Sequence, residues 1–179
     1  ASRREYISTT LTSIIACIVP MIALLYIAIL SVVKRYASRN PKAINKATGR
    51  RIDRYAPVAY MFLTFTSLAE VAFASWLILQ WRFLENYPRL ETLNGTRVLL
   101  FTSCWTTVIS AIYTLLFVHP MWSKHPVSSV GTQAVWVFIT WLLWIISSGM
   151  INASVPLLLV RGRCAGVVYC VQIQIMFGM

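Results

Sequence analysis

Residues 97–117 read RVLLFTSCWTTVISAIYTLLF, and residues 132–150 read TQAVWVFITWLLWIISSGM. After Arg97, neither run contains a charged side chain. Each is about as long as a bilayer crossing requires, since ~20 residues at ~1.5 Å rise cover ~30 Å of hydrocarbon. A short polar turn through His119, Lys124 and His125 joins them. Two uncharged spans so joined must pack as an antiparallel pair, and the remaining segments supply helices that lean on it.

Composition agrees with this reading. Of 179 residues, 58% are hydrophobic and only 12% charged, whereas soluble domains carry about 25% charged residues. Lys and Arg number 16 against 5 Asp and Glu. Such a balance can signal nucleic acid, but here the basic residues cluster directly behind an apolar run. Lys34, Arg35, Arg39, Lys42, Lys46, Arg50, Arg51 and Arg54 make up half of them. That placement follows the positive-inside rule and suits anionic headgroups at an inner leaflet. It argues for lipid contact and against nucleic acid.

Taken outward, the chain divides into apolar segments and polar connections. Residues 7–33 form a first span, too long for the core of a signal peptide, with Pro20 predicting a kink. Residues 34–56 form a basic connection expected to be a cytoplasmic loop, with turn signals at Asn40-Pro41 and Thr48-Gly49 between which a short interfacial helix could form. A second span runs from Pro57 to about Trp81, with proline in the tolerated first turn. Residues 82–97 contain Asn94-Gly95-Thr96, a glycosylation sequon usable on the external or lumenal side. This is the side that the basic loop assigns to it. Spans at 99–118 and 132–155 follow. Residues 164–179 are apolar but short of a full crossing, as if a fifth helix were cut at Met179. The fold class is therefore all-α: a polytopic transmembrane bundle of four complete spans and a truncated fifth, in the plasma membrane or an endomembrane.

Chemistry-bearing residues are sparse. Glu70 is the sole acid within a span, where ionisation costs roughly 2.5–3.5 kcal/mol on insertion scales. It must face protein or hold its proton. Thr66 lies one turn back on the same face. Ser103, Thr107 and Ala111 recur every four residues, a small-residue stripe that lets backbones approach. Thr140, Ser148 and Asn152 are spaced by multiples of four and are read as one polar line facing Glu70 or that stripe. Glu70, Thr66, Ser103, Thr107, Ser148 and Asn152 are thus the candidates for intramembrane polar packing. Cys17, Cys104, Cys164 and Cys170 show neither CxxC spacing nor a histidine at ligand distance. The two histidines sit in one turn, away from any intramembrane pair that haem would require. No cofactor and no metal are expected, and nothing resembles a catalytic nucleophile with its base.

The pattern Phe101-Thr102-Ser103-Cys104-Trp105-Thr106, followed by Thr140-Trp141-Leu142-Leu143-Trp144, resembles the middle spans of fungal MARVEL-type tetraspan membrane proteins. On this alignment residues 57–179 form a MARVEL-like bundle, 1–33 an additional amino-terminal helix and 34–56 the basic connector. The resemblance implies a non-enzymatic role in membrane organisation. Its forms are association with sterol-rich domains, membrane apposition, or assembly beside larger complexes. Partners would be membrane lipids, other transmembrane proteins or further copies of the chain. The alternative from the residues alone is a small transporter or channel whose polar path includes Glu70, Asn152 and the span serines.

Overall fold

The computed structural model describes residues 3–40, 47–84, 89–120, 129–154 and 170–178. All of the elements there are α-helices: α1 Arg3–Arg39, α2 Ala47–Leu84, α3 Leu90–Val118, α4 Val130–Ser154 and α5 Cys170–Gly178. The first four are long and apolar enough to cross a membrane. This is an integral-membrane helix bundle, as composition requires.

The helices overrun the spans read from the sequence. α1 has 37 residues and α2 has 38, each ~55 Å long at helical rise and nearly twice the hydrocarbon thickness. The anticipated 34–56 loop is therefore mostly helix. Lys34, Arg35 and Arg39 ride on the last turns of α1, and Arg50, Arg51 and Arg54 lie in the first turns of α2. Lys42 and Lys46 fall outside the described residues. Pro57 sits ten residues inside α2 instead of opening it, and helix also continues on both sides of Pro20. Hydrophobicity marks where the bilayer is, whereas helical hydrogen bonding can continue into the headgroup zone.

The 82–97 segment contracts in the same way. α3 begins at Leu90 with Glu91 in its first turn, a favourable sign against the positive end of the helix dipole. Asn94 is thus exposed on helix, and Thr96 is fully buried with its hydroxyl on the Thr92 carbonyl at 2.9 Å. At the other end of α3, the His119 amide bonds the Leu115 carbonyl at 2.9 Å, and Pro120 cannot extend the helix. α4 opens on Ser129, whose hydroxyl accepts the Thr132 amide at 3.3 Å in the manner of an N-cap.

α2, α3 and α4 form the centre. Their shared apolar core is Ala74, Leu77 and Trp81 of α2, Leu99 of α3 and Ile151 of α4, joined by Ile173 of α5. Close approach of α3 and α4 depends on Gly95: a Cβ there would lie 3.2 Å from Ile151 Cγ1 and 3.5 Å from the Ile151 backbone nitrogen. α1 packs along α2 on the outside. Ser8 Oγ donates to Gln80 Oε1 at 2.7 Å, Trp76 Nε1 donates to Thr12 Oγ1 at 3.0 Å, and the Tyr26 and Phe65 rings meet edge to face. Tyr36 then stacks on His119 at 5.4 Å. The amino-terminal helix is part of this bundle, packed antiparallel to α2.

Candidate intramembrane polar site

α3 turns its hydroxyls inward. Thr92, Thr96, Thr102, Ser103, Thr106, Ser110 and Thr114 are all buried. In hydrocarbon each hydroxyl needs a partner, because an unpaired polar group is costly there. Most bond the carbonyl four residues back, for example Thr107 Oγ1 to Ser103 O at 2.7 Å and Ser103 Oγ to Leu99 O at 2.8 Å. The same hydroxyls also meet across helices, where a single proton is shared between the carbonyl and the neighbouring hydroxyl. Thr64 and Ser110 hydroxyls meet at 2.9 Å, and Thr107 donates to Ser67 Oγ at 2.9 Å, both linking α2 to α3. Thr102 and Ser147 hydroxyls meet at 3.0 Å, and Trp144 Nε1 donates to Thr106 Oγ1 at 3.1 Å, linking α3 to α4.

Of the residues singled out from sequence, Ser103 and Thr107 sit in this seam. Thr66 is half-buried and donates to the Phe62 and Leu63 carbonyls of its own helix. On α4 the register differs from the anticipated one. Ser148 is half-buried and Asn152 is exposed, while Thr140, Ser147 and Ser154 are buried. Spacing by exact fours drifts, since eight residues turn a helix by ~80° beyond two full turns, whereas seven fall only ~20° short. Thr140, Ser147 and Ser154 are seven apart, and that spacing was the available signal for the correct face.

Glu70 is central in α2 and only 1% exposed. Neither carboxyl oxygen has a hydrogen-bond partner among the described residues. Ser67 one turn before it and Ala74 one turn after it are also buried, so the acid belongs to the interior stripe of α2. The polar line on α4 does not reach it: Ser147 meets Thr102 of α3 and its own helix, Ser154 bonds its own helix, and Thr140 Oγ1 has no partner among the described residues.

Toward the end that carries the basic residues, Tyr60, Tyr113 and Trp136 form a cluster with centroids 5.4–5.8 Å apart. Phe117 stacks on Tyr60, and Tyr60 Oη donates to Gln133 Oε1 at 3.2 Å. Buried Trp136 Nε1 and Thr140 Oγ1 lack partners among the described residues. Lys34, Arg35 and Arg39 project exposed from α1 at this same end. Among the described residues, no three His, Cys, Asp or Glu side chains gather as a metal-binding group. Comparison with known proteins finds no matching family model, no matching curated protein and no matching solved structure.

Proposed function

We propose that this chain is a non-catalytic integral membrane protein that organises membrane domains or serves as an accessory subunit of a larger membrane complex. It works through lateral helix and lipid contacts. The carrying observation is the fate of the α3 hydroxyls, which join α3 to α2 on one flank and to α4 on the other. Interior polarity of this kind builds a rigid bundle. Outward-facing residues such as Leu24, Leu25, Phe62, Phe138 and Trp141 remain apolar, as lateral contact with lipid or other spans needs. The MARVEL-type likeness over 57–179 points to the same class of role.

In this reading the basic ends of α1 and α2 face the cytoplasm and hold anionic lipid, each cation contributing ~1 kcal/mol near the leaflet. The 82–97 segment then lies on the external or lumenal side. Native mass spectrometry of the solubilised protein, with vesicle binding at varied anionic lipid content, tests the proposal. Retained lipid or partner subunits and a steep dependence on anionic lipid are expected. A strictly monomeric protein indifferent to anionic lipid overturns it.

One observation favours a second reading, a small proton or ion transporter. Glu70 is buried, acidic and unpaired among the described residues, the type of intramembrane group found on ion pathways. Flux in proteoliposomes that is lost in Glu70→Gln, with assembly intact, would establish it. Equal behaviour of the two proteins removes it.

A further inference from the structure

A crevice of about 320 Å³ opens between α1, α2 and α5, at the end of the bundle away from Lys34, Arg35 and Arg39. Its walls are Ile15 and Ala16 on α1 and Ala72, Phe73 and Trp76 on α2. The two alanines face aromatic and branched neighbours and so leave a slot where larger side chains would close the helix pair. Gln172 of α5 also lines it, and this amide makes no hydrogen bond among the described residues. Gln172 is half-buried, and in a slot otherwise largely apolar its amide can donate to an acceptor on whatever fills the slot.

The chemistry is layered along the helix axes. No charged side chain lines the slot. At its upper edge Thr12 and Trp76, which also line it, join Ser8 and Gln80 in a hydrogen-bonded belt. Above the belt, exposed Arg82 stands six residues beyond Trp76, ~9 Å along the axis, and exposed Arg3 begins α1 at the same end with Glu5 beside it. Apolar slot, neutral hydrogen-bonding belt and cationic rim match acyl chain, ester linkage and phosphate in that order. The volume lies at the lower limit of ligand cavities, about 300–1,000 Å³, enough for a single chain. We propose that this crevice is a seat for one acyl chain of a glycerophospholipid. Its ester carbonyl accepts from Gln172 and its phosphate lies beneath Arg82. The inference needs only the membrane-spanning fold, and it concerns the leaflet opposite the one assigned to the basic connector.

The test uses the full chain in phosphatidylcholine nanodiscs that contain a phosphatidylcholine with a photoreactive diazirine in one acyl chain. Adducts are mapped by peptide mass spectrometry. Labelling concentrated on 15–17 and 72–76 is expected. Ala72→Phe should reduce it about tenfold, the effect of evicting a few methylenes, while labelling around Phe138 and Trp141 on the outer face of α4 is unchanged. The same photoreactive chain on a diacylglycerol, which lacks phosphate, should label the crevice several-fold less. Labelling spread evenly along α1 and α4 in the wild-type protein overturns the proposal, and this readout stands even if the variant fails to fold. Displacement of the probe by sterol but not by excess phosphatidylcholine also overturns it.

Discussion

Glu70 bears the largest unbalanced cost in the described bundle. A buried polar group without a partner costs ~1–3 kcal/mol, and more if charged. Replacing it with an unbranched apolar side chain of similar length removes that cost without opening a cavity. Glu70→Met is therefore expected to raise the thermal midpoint in detergent, with a gain of ~1–3 kcal/mol. A loss of stability would mean that the carboxyl group has a partner. The hydroxyl seam predicts a smaller effect. A double-mutant cycle on Trp144→Phe and Thr106→Val should return a coupling of ~0.6 kcal/mol, typical of hydrogen bonds between spans. A zero coupling would show that the 3.1 Å contact contributes packing alone. Glu70 could be identified from the sequence as the lone acid in a span. That it has no partner among the described residues could not, because a partner depends on which residues of other helices arrive at its depth.

At the level of helices, α3 is the element on which the others are assembled. It meets α2 through Thr64, Ser67, Ser110 and Thr107, and α4 through Thr102, Thr106 and Gly95. Gly95 is where the second contact is closest, since Ile151 would crowd even a methyl group there. Gly95→Leu is expected to destabilise by ~1–3 kcal/mol through overpacking. Thermal melts should report it, with reduced protection of α4 against proteolysis. Unchanged stability would mean that α4 shifts freely on α3. The stripe at Ser103 and Thr107 was visible from four-residue spacing, yet the matching face of α4 follows sevens. In a packed pair the mean repeat approaches 3.5 residues per turn, so counting by fours loses register after two turns. Sequence hydrophobicity likewise located each span but misjudged helix ends at residues 34–56 and 82–97. Capping and backbone hydrogen bonds decide those ends, and polarity does not.

On the scale of the molecule, four antiparallel spans put Asn40, after α1, and Arg89, before α3, at opposite ends. Single cysteines placed at positions 40 and 89, in intact membrane vesicles and with Cys17, Cys104, Cys164 and Cys170 all replaced, should react with an impermeant maleimide from opposite sides. Reaction from one side for both would refute the number of crossings. The basic end gives a graded expectation. Replacing Arg50, Arg51 and Arg54 with Gln should weaken binding to anionic vesicles by ~1 kcal/mol per residue removed, and less as salt rises. An unaltered affinity would leave these residues as topology signals only.

What the residues determine unaided is the solvent and the crossings: uncharged runs about 20 residues long have no stable home in water, and helix is the way for a single open segment to satisfy its backbone in lipid. The clustering of Lys34 to Arg54 is equally a property of the chain alone. Which hydroxyl meets which, the choice of Ser147 over Ser148, the seating of α1 on Trp76 and Gln80, and the slot beneath Arg82 were decided only by tertiary structure. Lipid exerts little preference among the apolar faces of a span, so rotation about each helix axis is set by close packing and a few hydrogen bonds between helices distant in sequence.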